Sequence, residues 1–453
     1  MAVKQQKIDV KELAIGMFVS GLDRPWSQTP FPLQGFYIRD LDEIKELRMH
    51  CGHVYIDVVK GTKPAKADLK VYKSTGKQGI TPTPGKRRMP SVPVAPLKIK
   101  RNAYREQLRP VQKEAKKARE LHQQVYKAVG AVIGQIDQGN IPIQETKSAA
   151  SKMVDSVIRS PDAFTWLTRV REKDEFTYSH SVRSAVWALL FARHVGLAKN
   201  DMDILAMGVL LKDIGKTRLP KYLLESTERS PTELAAYQKF VAYGVDILRK
   251  MPDVTPRITS VVKTHCERVN GSGFPQQLRG DKIPLLGKIA GIVTFYDETT
   301  NPRDVGQPLS PSKAVAKLYE MRGVEFQEEL VVEFIRAIGL YPTGTLVELS
   351  TGEVAVVVEQ NFDRRLKPKV MVVMDSAKQP VFERYVLDLA SEEKKNQAKI
   401  DAGKLTAAEI DRVEIVQDLE PGSYDIDIAE IRDDYLATKS GIMSIIKDKL
   451  GRA

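Results

Sequence analysis

Residues 204–216 read ILAMGVLLKDIGK, and this stretch decides both the fold and the kind of chemistry to expect. An apolar run at helical spacing ends in Asp213, Gly215 and Lys216, which is a good way to deliver a carboxylate into a pocket. A metal site would require a second ligand beside Asp213. The chain instead supplies Lys212, whose ammonium group has only donors and no lone pair at neutral pH. The sequence therefore indicates a carboxylate whose neighbour is a cation rather than a metal ligand.

The composition is that of a globular protein with several domains. At 453 residues the chain is too long for one core, and 42% hydrophobic and 28% charged residues are ordinary values. No run of about 18 apolar residues and no apolar leader occur, so we expect neither a transmembrane segment nor a secretory signal. The only cysteines are Cys51 and Cys266. They disfavour a disulfide scaffold and a thiolate zinc site, and they fit a cytoplasmic location.

The formal net charge of +12 is concentrated in one segment of the chain. Residues 60–120 hold 18 Lys and Arg residues but only 4 Asp and Glu residues. Such a segment can make weak contacts with an anionic partner or membrane surface. It has little aromatic interleaving and no specific nucleic-acid motif, so its other interpretation is a solvated linker kept soluble by charge.

The chain divides into five segments of different composition. Residues 1–60 predict a small α/β domain, and residues 61–101 are a basic linker rich in proline and lysine. Residues 102–340 carry successive helical patterns, and residues 341–390 change to short alternating strands that predict a small β extension. Residues 391–453 form a charged, helix-prone tail that ends in an amphipathic helix at GIMSIIKDKL. We therefore predict a mainly α fold, in which a helical bundle lies between a small N-terminal α/β domain and a small C-terminal β appendix.

Three polar residues stand out in the helical segment. His180 begins an apolar helix in YSHSVRSA, Asp213 lies in LLKDIGK, and His265 lies where a helix meets a Gly-rich turn in VKTHCERVNGSGFP. Taken singly, each has an ordinary structural interpretation, such as a hydrogen-bonded core histidine or a helix-end cap. Taken together, they indicate one pocket built from several helices.

These segments resemble the HD-GYP family, bacterial phosphodiesterases that hydrolyse cyclic di-GMP on a binuclear or trinuclear metal centre inside a helical HD-type domain. The resemblance covers roughly residues 102–345 and includes LLKDIGK, AYGVDIL, ERVNGSGFPQQLRGDKIP and GKIAGIVTFYDETTNPR. The flanks agree as well. ELAIGMFVSGLDRPWSQTPFPLQGF looks like the small domain often found before such units, and YPTGTLVELSTGEVAVVVEQNFDRRLKP looks like the extension that commonly follows them.

The chain departs from the family's ligand pattern at several positions. The histidine–aspartate pair is here Lys212–Asp213, and Cys266 replaces the second of two paired histidines. The match also places Phe240 where a histidine is expected and Thr294 where an aspartate is expected. In the signature loop, an Asn replaces the Asp and a Phe replaces the Tyr. The loop residues are Asn270, Gly271, Gly273, Phe274 and Pro275.

The resemblance leaves His180, Asp213 and His265 as candidate metal ligands, with Cys266 as a further soft ligand. Hydrolytic metal sites need several lone-pair donors around each ion and an open position for water. Three residues can hold one ion in a facial arrangement, but hardly two. Lys212 adds a fixed positive charge that disfavours a metal and stabilises ionised Asp213 without one. We expect no catalytic residue and no cofactor, or at most one iron or manganese ion.

The cations of the pocket suggest a different ligand. By the match, Lys216 keeps the lysine of the family's DIGK motif and Arg303 keeps the arginine after the Tyr-Asp run, while Lys212 adds a third cation. With Asp213 they are the candidate ligand-binding residues, because Lys and Arg bind phosphate without a metal. The alternative is that the cations pair with carboxylates such as Asp213 or Asp297. The signature loop is either a structural turn or a docking surface for a signalling protein partner.

Three hypotheses of function follow. The preferred one is a degenerate HD-GYP-type protein of bacterial cyclic-di-GMP signalling, which binds a nucleotide, with cyclic di-GMP as a candidate, or a partner protein and does not hydrolyse. The first alternative is an active, metal-dependent cyclic-di-GMP phosphodiesterase with a reduced single-metal site. The second is a scaffold with no small ligand, which meets its partner through the basic linker and the N-terminal domain.

Overall fold

A computed structural model gives the fold of most of the chain. It describes residues 5–24, 29, 36–38, 41–57, 94–95, 99–100, 103–136, 142–168, 176–226, 228–302, 308–361, 364, 366–402 and 413–437. Most of the predicted linker, Arg303 and the helix expected at GIMSIIKDKL lie outside these residues. Among the described residues, no helix is both long enough and apolar enough to cross a lipid bilayer.

The N-terminal unit is a small sheet with one helix packed against it. Its elements are β1 (Gln5–Asp9), β2 (Phe18–Leu22), β3 (Phe36–Tyr37), α1 (Leu41–His50) and β4 (His53–Asp57). The strands are antiparallel and follow the order β1-β4-β2-β3. Alternate residues of β4, Val54 and Ile56, are fully buried and form a core with Ile44 and Leu47 of α1. The predicted α/β character of this region is confirmed.

The larger unit is mainly helical up to residue 338, as its apolar spacing predicted. Its helices are α2 (Val111–Gly134), α3 (Ile143–Arg159), α4 (Pro161–Leu167), α5 (Phe176–Val195), α6 (Lys199–Leu210), α7 (Lys221–Glu225), α8 (Pro231–Gln238), α9 (Phe240–Arg249), α10 (Pro256–Thr264), α11 (Leu285–Thr300), α12 (Pro311–Glu320) and α13 (Glu328–Ile338). Several begin with proline, which costs no hydrogen bond in the first turn because that N–H has no intrahelical partner.

Helix α5 is the centre of this bundle. Almost every residue from His180 to Val195 is buried, so the helix is enclosed on all sides, as expected for a largely apolar helix surrounded by others. The Trp187 and Tyr296 rings meet edge to face at 5.2 Å, and the Phe191 and Phe334 rings do so at 5.4 Å. These aromatic contacts fix α5 against α11 and α13, and they set the position of the His180 end of α5.

A five-stranded antiparallel sheet follows the helices. Its strands are β5 (Leu346–Leu349), β6 (Val354–Glu359), β7 (Lys369–Met374), β8 (Pro380–Asp388) and β9 (Ile415–Asp418), in the order β8-β7-β6-β5-β9. Helices α14 (Leu389–Asp401) and α15 (Ile428–Ala437) flank the last strand in sequence. The predicted β appendix is therefore present. Strand β9, however, comes from the tail for which the sequence predicted only helices.

Candidate functional site

The site is assembled where α5, α6, α9, α10 and α11 meet. Helix α6 ends at Leu210, and a turn carries the chain into a 3-10 helix at Ile214–Arg218. Gly215 allows this turn to touch the start of α9. A Cβ atom there would lie 1.9 Å from the Phe240 carbonyl oxygen, so only glycine fits. The close approach holds Lys212, Asp213 and Lys216 against the ends of α5 and α10.

The Asp213 carboxylate is buried and is held by two ammonium groups. Lys212, which is 0% exposed, binds its Oδ2 atom, and Lys216 Nζ lies 2.7 Å from its Oδ1 atom. The Ser181 hydroxyl donates a longer hydrogen bond to Oδ2, at 3.4 Å. Burial by itself would raise the pKa of Asp213, but the charges of Lys212 and then Lys216 hold this pKa well below its ordinary value. Both carboxylate oxygens of Asp213 are thus engaged by cations that belong to the chain.

His180 is oriented by a second carboxylate from α11. Its Nδ1 atom lies 2.6 Å from Asp297 Oδ2, and both side chains are buried. Arg183, one turn after His180 on α5, places its Nε atom 3.1 Å from Asp297 Oδ1. Burial would raise the pKa of Asp297, but the Arg183 guanidinium and the hydrogen bond with His180 together outweigh that effect and lower this pKa to about 2. A carboxylate behind an imidazole is the support that metal-ligating histidines usually have.

The imidazole of His180 is neutral. Burial, and after it the Lys212 charge, lower the pKa of His180. A neutral ring beside Asp297 carries its hydrogen on Nδ1 and donates it to that carboxylate, so Nε2 keeps the lone pair. This Nε2 atom lies 3.9 Å from Asp213 Oδ2 and 3.6 Å from Glu298 Oε1.

His265 and Cys266 leave the end of α10 as uncharged groups. The His265 ring is buried, with Nδ1 at 2.7 Å from the Val262 carbonyl oxygen. Burial, followed by the Lys212 charge, lowers the pKa of His265 to about 3. Burial raises the pKa of the Cys266 thiol to about 12. A thiolate and not a thiol ligates metals, so Cys266 would have to lose its proton to act as a ligand.

An aromatic cluster fills the corner that Phe240 occupies. Phe240 is 3% exposed, and its ring centroid lies 5.9 Å from that of His265 and 6.1 Å from that of Phe274. Lys216 Nζ lies 5.1 Å from the Phe240 centroid and 5.9 Å from that of Tyr237, at cation–π distance. The ring therefore supplies packing where a ligating nitrogen would supply a lone pair.

Glu267 organises the backbone of the signature loop. Its carboxylate accepts hydrogen bonds from the backbone N–H groups of Gln276, at 2.7 Å, and Leu278, at 2.9 Å. Gly273 lies so close to the chain before the loop that a Cβ atom would come within 2.4 Å of the Arg268 backbone nitrogen. The loop is therefore tied to the end of α10 by its own backbone.

The remaining loop residues form a tight turn. Asn270 Oδ1 accepts a hydrogen bond from the Ser272 backbone N–H at 2.9 Å, and Gly271 has a φ of 81°, which favours glycine. The Phe274–Pro275 peptide bond is cis. These contacts support the structural interpretation of the loop, and Phe274 connects the loop to the Phe240 cluster.

The donor atoms of this pocket do not fit a metal ion. The Asp213 carboxylate is engaged by two lysines, Cys266 is a thiol, and the positions matched to two further ligands carry the Phe240 ring and the Thr294 hydroxyl. In the described part of the chain, no group of three or more His, Cys, Asp or Glu side chains is placed to hold a metal.

Part of the site could be predicted from the sequence, and part could not. The structure brings His180, Asp213 and His265 into one pocket, and it pairs Lys212 and Lys216 with Asp213. Arg183 and Asp297, which orient His180, were not predicted in that role. The spacing of three residues between His180 and Arg183 was the available signal, because it places both on one helix face.

Models of known families match three parts of the chain. A domain of unknown function (DUF3391) covers residues 5–144, the HD domain covers residues 169–330, and a KOW domain associated with the HD domain covers residues 346–402.

Relatives with described activities share these segments. A cyclic di-GMP phosphodiesterase of Pseudomonas aeruginosa is 27% identical over 393 residues, which are 85% of this chain and 89% of that protein. A 3'3'-cGAMP-specific phosphodiesterase of Vibrio cholerae is 31% identical over 36% of this chain and 31% of its own length. The solved structure of a HDG"Y"P protein from Bdellovibrio bacteriovorus is 15% identical, covers 73% of this chain and 98% of that chain, and has a TM-score of 0.43. The chain therefore carries an HD domain, with a DUF3391 domain before it and a KOW domain after it, and the resemblance to HD-GYP phosphodiesterases is supported by the similarity to the Pseudomonas aeruginosa enzyme.

Proposed function

We propose that this chain is a non-hydrolytic HD-GYP-type protein of cyclic-di-GMP signalling, which binds a cyclic dinucleotide or a protein partner through its HD domain. One observation carries the proposal: the Lys212 ammonium lies on the Asp213 carboxylate, where hydrolysis would require a metal. Hydrolytic HD-GYP proteins use metal ions to turn water into a nucleophile and to offset phosphate charge. Here the aspartate that should serve those ions is neutralised by lysines.

The charges of the pocket do not supply a metal-free route to hydrolysis. Nε2 of His180 keeps a lone pair and could accept a proton from water, whereas His265, with a pKa of about 3, is a weak base. A general base alone contributes about 10²–10⁴-fold, and phosphodiester cleavage also requires charges aimed at the transition state. Lys212 is fully buried on Asp213, and Lys216, although partly exposed, already shares its charge with Asp213.

The same charges favour an anionic ligand. Two ammonium groups contact the one carboxylate of Asp213, and the nearby Glu298 carboxylate, which would offset the second positive charge, is 53% exposed and is therefore screened by solvent. The side chain of Lys216 is 12% exposed, whereas that of Lys212 is fully buried, so Lys216 is the lysine that can reach a ligand. Several relatives are named for cyclic di-GMP or cGAMP, whose phosphodiesters fit a partly exposed lysine beside aromatic rings.

The experiment combines turnover, metal content and binding. The full chain, loaded anaerobically with manganese or iron, should not convert cyclic di-GMP into pGpG or GMP, and turnover at an enzyme-like rate would refute the proposal. In calorimetry, cyclic di-GMP should bind, and Lys216→Met should weaken that binding about tenfold or more, the loss of one charge-assisted contact. The Lys199→Met variant, which removes an exposed lysine that pairs with Asp155, is the control. No heat with cyclic di-GMP would leave the protein partner as the ligand class.

The same samples distinguish the proposal from its alternative, an active phosphodiesterase with a single metal ion. It requires about one iron or manganese ion per chain and loss of that ion in His180→Ala. Restoring one ligand with Lys212→His should not restore turnover, because Phe240, Cys266 and Thr294 still occupy the other matched positions. Turnover in that single variant would contradict the argument from the ligand set.

A further inference from the structure

We infer that the Lys212 ammonium is the counterion of Asp213 in this HD domain and takes the place of a metal ion there. The domain therefore reaches its full stability without any metal. The inference concerns folding, and it holds whichever ligand the domain binds. It arises from the mismatch between the metal-binding family and the donor atoms described above.

Burial makes the cation necessary. Asp213 is 3% exposed and lies at the junction of helices, where an ionised carboxylate without a counterion is costly. Among the residues that the structure describes, Lys212 and the Ser181 hydroxyl, in a long hydrogen bond of 3.4 Å, are the groups that donate hydrogen bonds to its Oδ2 atom, while Lys216 contacts Oδ1. Removing the Lys212 charge would therefore leave Oδ2 without a strong partner inside the protein.

The residues around Asp213 favour the Lys212 ammonium over a metal ion from solution. The Lys212 side chain is 0% exposed, and Lys212 directly precedes Asp213 in sequence. Folding of the chain therefore places its charge beside the Asp213 carboxylate. The neighbouring corner is closed by the Phe240 ring, which is packed against His265 and Phe274. By the family match, Thr294 of α11 carries a buried hydroxyl where a carboxylate is expected, and a hydroxyl binds divalent ions less strongly than a carboxylate does.

The test follows thermal unfolding of the full chain by tryptophan fluorescence. Trp166 and Trp187 are buried in the helical unit and report on its core. The wild-type Tm should be the same, within about one degree, in chelator and in excess Mn²⁺ or anaerobic Fe²⁺. The Lys212→Met variant should unfold roughly 5–15 °C lower, in either condition. The Lys199→Met control, at an exposed ion pair, should unfold with the wild type.

A second variant keeps the inference testable if Lys212→Met does not fold. Lys212→His places a lone-pair donor beside Asp213, His180 and His265, so added Mn²⁺ or Fe²⁺ should raise its Tm by several degrees and about one ion should copurify per chain. Three outcomes would overturn the inference. In the first, the wild-type Tm rises with metal or falls with chelator. In the second, the Tm of Lys212→Met equals that of the wild type. In the third, added metal does not change the Tm of Lys212→His.

Discussion

The acid stability of the helical unit should depend on two buried histidines, His122 and His265. Burial, and then the Arg183 charge, lower the pKa of His122 to about 4. Burial and the Lys212 charge lower that of His265 to about 3. In the unfolded chain both return to about 6.5. Below that pH the unfolded state binds more protons than the folded state, so the free energy of unfolding falls as pH falls and is fully retained above pH 6.5.

The size of this effect follows from the two pKa values of each histidine. Each group contributes up to about 1.4 kcal/mol per pH unit between its folded and unfolded pKa. From pH 7 to pH 5 the loss is about 2 kcal/mol per histidine, or about 4 kcal/mol for both. The pKa of Asp297 is about 2 and that of Asp213 is well below its ordinary value, so these carboxylates titrate under more acidic conditions. His180, whose pKa is also lowered, adds to the loss.

The assay is urea unfolding at pH 8, 7, 6 and 5, followed by tryptophan fluorescence. The His122→Gln and His265→Gln variants should each lose about 2 kcal/mol less than wild type between pH 7 and 5. All three proteins should change in parallel between pH 8 and 7, which is the internal control. The reasoning fails if either variant keeps the wild-type slope, since that histidine would then be protonated equally in both states.

Three further predictions concern packing and the loop. Phe240→Ala should lower the free energy of unfolding by about 3–5 kcal/mol, because it empties a buried aromatic corner; urea titration measures the loss. Gly273→Ala should cost at least about 2 kcal/mol in the same titration, since its methyl group would collide with the Arg268 backbone nitrogen, and an unchanged midpoint would contradict this geometry. Glu267→Ala should speed hydrogen exchange at the Gln276 amide by tenfold or more, the equivalent of about 1.4 kcal/mol, and protection equal to wild type would show that this carboxylate is dispensable.

Local patterns were sufficient to predict most elements of the fold. The helical segment has apolar spacing and N-terminal prolines, and the β extension has runs such as Val354–Glu359, which the structure shows as a strand. Strand β9 (Ile415–Asp418) was missed for a physical reason. Its four residues carry little signal of their own, and their structure depends on pairing with β5, far earlier in the chain.

The contacts of the site also fall into those that the sequence predicted and those that it did not. Residue types predicted that Asp213 would have a cation beside it, because Lys212 is its neighbour in sequence. The pairing of Lys216 with Asp213 was only the alternative to phosphate binding, and no local pattern predicted that Asp297 would hold His180. Those contacts join different helices or depend on a turn, so they become visible only when α5, α6 and α11 are packed together.

The substitutions in the pocket are best understood as one change. A divalent ion at Asp213 would have to displace Lys212 and leave a buried ammonium unpaired, which costs about 3–5 kcal/mol when one partner of a buried pair is lost. That cost corresponds to a loss of roughly 10²- to 10⁴-fold in metal affinity, before any missing ligand is counted. The ion could bind the His180 and His265 nitrogens. It would find no ligating nitrogen at Phe240 and no carboxylate at Thr294, the positions that the family match assigns to further ligands. Lys212 therefore weakens metal binding twice, by removing a ligand and by occupying the carboxylate that remains.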